Sequence, residues 1–374
     1  YFCFEVPCTM ALQKIGAKLW LGPIMIVWGI VSALTMFVRS STEFYVIRFL
    51  LGVVESGFFP GVILYLTFWY TRKHRAKMIA AFMTAVPLSG IIGGAASGWL
   101  LERMSSVGNL RGWQWLYLLE ALPSILAGIV TMFFLADSPA RAKWLTDDEK
   151  NILAERLSED EAVRKQRQGH HSLGDAFRSK SVWLLCFVYF GFVMGNYGIS
   201  FWLPQVVKDT LTNDPWQIGL LTTIPWAVGA VAMVIVGHHS DATGERRWHV
   251  AIAGIIGAIA FSASAIPGIS GPLGLVALTV ATAGLTSAYS TFWSMPTALL
   301  SGTAASAGIA WINSVGNLAG YVSPALVGKL RDTTHSMAPA LLMLAFCCLA
   351  SGLLALRTGA AGREARDIPA TTKV

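Results

Sequence analysis

The 374 residues are 54% hydrophobic and only 13% charged, with a mean hydropathy of +0.56; a soluble domain carries about twice that charged fraction, so the composition excludes an ordinary water-soluble fold and makes lipid the solvent. The net charge of +7 does not mark a nucleic-acid-binding protein, because the basic residues lie between apolar runs instead of gathering with aromatics on one soluble face. The five cysteines (Cys3, Cys8, Cys186, Cys347 and Cys348) sit within apolar segments without metal-ligand or paired extracellular spacing, and read as small core hydrophobes.

In chain order, Tyr1 to Leu12 is an apolar stretch ending at Gln13-Lys14, too short to cross about 30 Å of hydrocarbon. It reads as the end of an interrupted span, and with no initiator Met the natural chain is expected to continue upstream. Ten full spans are then expected near 19–38, 44–69, 77–101, 113–136, 181–207, 215–237, 249–267, 272–297, 303–328 and 337–356. The longest uncharged run, Val250 to Gly328, contains 79 residues, which as one helix would reach roughly 120 Å. It must therefore cross three times, with breaks at Pro267 to Pro272 and at Ser301-Gly302-Thr303. Between the fourth and fifth spans, Thr146-Asp147-Asp148-Glu149 fits a capping box that opens a short helix through about Leu157. The expected organisation is an incomplete N-terminal bundle at 1–136, a cytoplasmic central loop at 137–180, a C-terminal bundle at 181–357 and a cytoplasmic tail at 358–374.

Orientation follows from the connections, since cytoplasmic loops carry the excess of Lys and Arg. Of the 28 basic residues, 21 fall on the side of the central loop and C-terminus and six on the other. That makes the loop and C-terminus cytoplasmic, in a multi-pass protein of the bacterial inner membrane. Arg48 is the one basic residue left inside a span.

A shift of 230 residues aligns 77–98 with 307–328 through six identities, among them Leu88 with Leu318 and Gly90 with Gly320, the internal repetition common in transporters. At nearly the same offset, Gln13-Lys14-Ile15-Gly16 falls over Asp241-Ala242-Thr243-Gly244. The second of these lies in Gly237-His238-His239-Ser240-Asp241-Ala242-Thr243-Gly244-Glu245-Arg246, which resembles the Gly-x-x-x-Asp-x-x-Gly-x-Arg signature of the major facilitator superfamily. The resemblance implies that Gly237, Asp241, Gly244 and Arg246 form a cytoplasmic gate, an acidic helix end that locks two bundles together. The alternative is a polar turn with topogenic arginine. In the first copy Thr9, Gln13, Lys14, Gly16 and Lys18 stand where the family prefers Gly, Asp, Arg, Gly and a basic residue, so the pattern is degraded and should lock more weakly.

Arg48-Phe49-Leu50-Leu51-Gly52-Val53-Val54-Glu55-Ser56-Gly57-Phe58-Phe59-Pro60-Gly61 is similar to the fourth helix of the anion:cation symporter family. Trp69-Tyr70, Gly112-Trp113-Gln114-Trp115, Asn196-Tyr197-Gly198 and Asn313-Ser314-Val315-Gly316-Asn317 extend that likeness along the chain, with bacterial tartrate-type carboxylate carriers as the nearest subgroup. The resemblance implies an all-α membrane protein with a two-bundle transporter fold of normally twelve helices, here without the first helix and part of the second. It further implies an Asp-Arg pair in that first helix, and makes Tyr1 similar to a cavity-lining tyrosine. Glu5, four residues on, shares its helical face.

Arg48 and Glu55 are seven residues apart, on one helical face and about 10 Å from each other. A charge inside a span is costly unless it meets a partner or water, which makes function its default meaning. A guanidinium offers a planar fork for a substrate carboxylate, and Glu55 is a residue to carry a coupled proton. An internal Arg–Glu network is the structural alternative. In the second half, Asn196, Tyr197, Gln205, Asn313, Ser314 and Asn317 could read substrate hydroxyls or serve as hydrogen-bonding glue between helices. No catalytic constellation, cofactor motif or metal spacing is apparent, and the side chains of the adjacent His238 and His239 should diverge on a helix.

The reading is a proton-coupled symporter of a small organic anion, a hydroxycarboxylate or sugar acid, working as a monomer in the lipid bilayer, with no nucleic-acid partner and no enzyme activity. A drug-type antiporter is the alternative, although Ser89-Gly90-Ile91-Ile92-Gly93-Gly94 departs from the Gly-Pro-x-x-Gly-Gly signature expected there. A chain inactive for want of its first helix is another.

Overall fold

The computed structural model describes residues 15–71, 78–79, 81–105, 107–166, 179–269, 271–299 and 303–358, together with Phe4 and Cys8. Every regular element among them is helical: α1 Ala17–Leu34, α2 Ser41–Glu55, α3 Phe58–Trp69, α4 Ala85–Arg103, α5 Gly112–Phe134, α6 Asp147–Gln166, α7 Lys180–Thr210, α8 Pro215–Thr243, α9 Arg247–Ser264, α10 Pro272–Phe292, α11 Ser294–Leu299, α12 Thr303–Asn317, α13 Ala319–Thr334 and α14 Ala338–Arg357, with short 3-10 turns at Thr35–Phe37 and Pro139–Arg141. Helices suit lipid because they satisfy their own backbone. Large apolar side chains such as Phe133, Phe134 and Ile235 stand exposed, as expected where the surroundings are hydrocarbon.

Among the described residues, eight helices are long and apolar enough to cross a membrane. The other two expected spans, 44–69 and 303–328, are each broken. In the first, Pro60 has no amide hydrogen for the Ser56 carbonyl, so a continuous helix would lose a bond there. The chain instead turns at Ser56-Gly57, where the Ser56 hydroxyl donates to the Val53 carbonyl at 2.7 Å and the Trp20 indole to the Gly57 carbonyl at 3.2 Å. In the second, the interruption falls at Leu318, between two glycines that receive aromatic rings: Tyr189 on Gly316 and Tyr197 on Gly320.

The chain divides into two compact units, Tyr1–Phe82 with Ala96–Arg167, and Met83–Ala95 with Gln168–Val374. In the first, α1 packs along α5. The close approach needs glycine on both sides, since a Cβ at Gly128 would stand 2.8 Å from the Gly22 carbonyl oxygen. The second unit holds the larger buried core, in which Tyr189, Phe192, Phe261 and Phe292 are almost wholly enclosed among α7, α9, α10, α12 and α14. The 83–95 segment groups with it because Gly90 meets Trp226 and Gly94 meets the Gly219 carbonyl.

The expected capping box is present: the Thr146 amide donates to the Glu149 carboxylate at 2.9 Å and the Glu149 amide to the Thr146 hydroxyl at 3.3 Å. The helix it opens runs nine residues beyond the expected end at Leu157, to Gln166. The reason is in the sequence, where no Pro or Gly occurs between Leu157 and Gln166.

Candidate functional site

In the first unit, the Ser40 hydroxyl caps α2 by accepting from the Glu43 amide at 3.3 Å. The helix then runs unbroken through both Arg48 and Glu55, which keeps them on one face as their spacing requires. The Arg48 guanidinium is exposed and engaged by the first turns of α5: its Nη2 donates to the Tyr117 hydroxyl at 3.1 Å, and its Cζ lies 5.0 Å over the Phe44 ring. Neither contact involves Glu55, which is half-buried as the last residue of α2, immediately before the Ser56-Gly57 turn. The Arg48 charge is held by a hydroxyl and a ring face, both uncharged, and it also acts at longer range on the Glu55 carboxyl. The sequence did not single out Tyr117, which lies one helical turn beyond Trp113 and two residues past the Gly112–Trp115 motif.

Tyr117 and Phe44 also line a cleft of about 560 Å³, bounded by Thr35, Arg39, Ser40 and Trp113. It lies at the end of α5 opposite Asp137. At that far end, Asp137 accepts from the Lys18 amide at 2.9 Å and pairs with Arg141 at 3.1 Å. Glu120, on α5, accepts from the Ser97 hydroxyl at 2.7 Å. Tyr1 and Glu5 lie outside the described residues.

In the second unit the six polar residues divide into three groups. Asn313 and Ser314 are buried on α12, and Asn317 is half-buried at its C-terminus beside the Leu318 break. Asn196 and Tyr197 are half-buried on α7, with Tyr197 stacked on Phe201 at 6.2 Å and packed on Gly320. Gln205 is drawn into a different network: its amide donates to Asp209 at 2.6 Å, Asp209 pairs with Arg331 at 2.8 Å, and Arg331 lies over the Trp202 ring at 5.4 Å. Unanticipated from the sequence is Tyr289, whose hydroxyl is 2.9 Å from that of Tyr189, 100 positions away, within a cluster completed by Phe292 and Trp293.

The α8–α9 turn brings Asp241 and Arg246 together around Gly244. Gly244 ends α8 with φ +67°, a left-handed conformation that glycine adopts without strain. That reversal lets Arg246 fold back onto α8, where it pairs with Asp241 at 2.5 Å and donates to the Ser240 hydroxyl at 3.0 Å. Gly237 has open space on its side-chain side. His239 Nδ1 lies 2.7 Å from Nε2 of His249 on α9. Among the described residues no group of three or more His, Cys, Asp or Glu side chains is placed to hold a metal ion.

The family model described as Major Facilitator Superfamily matches residues 1–324. A protein of Agrobacterium vitis named "Putative tartrate transporter" is 44% identical over 95% of this chain and 78% of its own length. The protein of Pseudomonas putida named "Putative metabolite transport protein NicT" is 44% identical over 95% and 81%, and a quinolone resistance transporter of Acinetobacter baumannii is 37% identical over 93% and 80%. Among solved structures, the proton:xylose symporter XylE superposes with a TM-score of 0.65 at 14% identity, covering 98% of this chain and 83% of that one. A bacterial homolog of the human lysosomal transporter Spinster, inward-facing and occupied, gives 0.64 at 15% identity over 97% and 85%. At these identities the structures show the fold.

Proposed function

The chain belongs to the major facilitator superfamily, and on that premise we propose that it is a symporter carrying a small hydroxylated carboxylate across the bacterial inner membrane together with protons, by alternating access. The observation that carries the reading is Arg48, a guanidinium within a predicted span whose direct contacts, the Tyr117 hydroxyl and the Phe44 ring, are uncharged, which supports a role in holding an anionic ligand. The 44% identity to a protein named for tartrate transport supports a hydroxycarboxylate as the class of substrate.

In this reading Arg48 takes the carboxylate through its planar fork, Glu55 carries the proton, and Asn313, Ser314 and Asn317, with Asn196 and Tyr197, recognise hydroxyls. Tyr1 is assigned a place beside the substrate by family likeness alone. Gln205 reaches the substrate only by leaving Asp209. The Asp241–Arg246 turn serves as the cytoplasmic gate, with the central segment and C-terminus on the cytoplasmic side and the monomer as the working unit. Radiolabelled L-tartrate uptake into proteoliposomes tests the whole. Arg48→Lys keeps the charge and loses the fork, so the apparent Kd for tartrate should rise about tenfold or more. Unchanged affinity would remove Arg48 from recognition.

The quinolone resistance transporter among the relatives favours a second reading, drug efflux. It is separated by the same vesicles: proton-driven export of a quinolone without tartrate transport would establish it in place of the first.

A further inference from the structure

The cleft beside Arg48 has a composition that the transport reading does not use. Thr35, the start of α2 and the start of α5 border an open surface cleft of about 560 Å³. Arg39 lines it, and Tyr45, 70% exposed, stands at its wall. The acidic group nearby, Glu43, is turned back on the chain and accepts from the Arg39 backbone amide at 2.8 Å. Its carboxylate is anchored at the start of α2, where it also feels the Arg39 charge, while Arg39 lines the cleft.

Tyr117 joins this cleft to Arg48. Its ring, set edge-on to Trp113 at 6.4 Å, forms part of the lining, while its hydroxyl touches the Arg48 guanidinium at 3.1 Å. A phenol oxygen accepting from Arg48 keeps its own hydrogen to donate. An anion in the cleft could therefore be held by Arg39 and by the Tyr117 hydroxyl, one side chain away from Arg48. We propose that this cleft is a second, outer anion site, which captures a small carboxylate beside Arg39 and passes it across Tyr117 to Arg48. The proposal rests on the reading of Arg48 as the carboxylate receptor.

Its signature is asymmetry, because the cleft opens at the end of the first unit remote from the central segment and can serve substrate arriving from that side only. The test uses the full-length transporter with L-tartrate as probe, in right-side-out and inside-out membrane vesicles. Arg39→Gln should raise KM by about three- to tenfold in the one orientation that presents the cleft to the supplied tartrate, with kcat within about twofold. Arg39→Lys should restore most of the loss, since capture needs charge more than the fork. Tyr117→Phe should raise KM in that orientation even with Arg39 intact.

An unchanged KM in both orientations for Arg39→Gln overturns the outer site, as does an equal change in both, which is the mark of a general structural effect. Arg48→Lys run alongside separates the two readings. If it weakens tartrate binding while Arg39→Gln and Tyr117→Phe have no effect, the outer site falls and the function stands. If it too has no effect, the carboxylate reading itself fails.

Discussion

Asp137 caps a helix far before it in the chain: the Lys18 amide, 119 residues earlier at the start of α1, donates to the Asp137 carboxylate at 2.9 Å. Gly16 precedes that helix in a left-handed conformation, φ +94°, and has no side chain with which to cap it. Asp137, just beyond the end of α5, supplies the acceptor and binds the two helix ends together, with Arg141 pairing to its second oxygen. The first copy of the loop signature, which lacks the aspartate of the second, thus has an acidic group brought to it by the fold.

Asp137→Ala should cost about 1 kcal/mol, the usual loss for a missing N-cap. Asp137→Asn keeps an acceptor and should cost less. Thermal unfolding of the detergent-solubilised protein, followed by intrinsic fluorescence, reads the difference. Equal melting temperatures for wild type and Asp137→Ala would show that the cap carries no stability.

Glu55 tests coupling. It ends α2 immediately before the helix turns at Ser56-Gly57. If it carries the proton, Glu55→Gln should mimic the neutral form, abolishing proton-driven accumulation while sparing tartrate exchange between the two sides of the membrane. Retained accumulation in proteoliposomes would remove Glu55 from that role.

The Asp241–Arg246 pair separates stability from gating. The Asp241 side chain is 72% exposed, and surface pairs contribute only about 0–1 kcal/mol. Asp241→Asn should therefore leave the melting temperature nearly unchanged while shifting spin-label distances across the membrane toward the inward-facing population. Gly244→Ala should do the reverse, forcing a Cβ into the left-handed region at a cost of about 1–2 kcal/mol. A large loss of stability in Asp241→Asn, with unaltered distances, would make the pair structural.

Acid should loosen α6 at its start. The Thr146 amide, with its hydroxyl, holds the Glu149 carboxyl below its ordinary value. A group depressed in the folded state contributes fully above its unfolded pKa, and the contribution is lost as pH falls through the lower folded value. Hydrogen exchange at the Lys150 amide, corrected for intrinsic rate, should stay protected at neutral pH and speed up below the usual carboxylate range of about pH 4. Glu149→Gln should flatten that dependence; an identical profile in the variant would count against the cap.

The sequence by itself determined the solvent, the helical class, the family and most helix positions, because each depends on composition, local periodicity and residues adjacent along the chain. A charge-free run of 79 residues must cross a membrane whatever packs beside it, and a Thr-x-x-Glu capping box closes within one turn. The same locality placed Arg48 and Glu55 on one face of α2, whereas the return of Arg246 onto Asp241 around Gly244 was found in the structure. Only the tertiary structure decided which groups those residues meet. Tyr117 lies 69 positions from Arg48, Asp137 lies 119 from Lys18, and Tyr289 lies 100 from Tyr189, separations at which one sequence carries no register. The helix breaks at Ser56-Gly57 and Leu318 belong to the same class. Hydropathy reads both segments as continuous spans, and it is the indole of Trp20 and the rings of Tyr189 and Tyr197, arriving from other helices, that occupy the space the glycines leave.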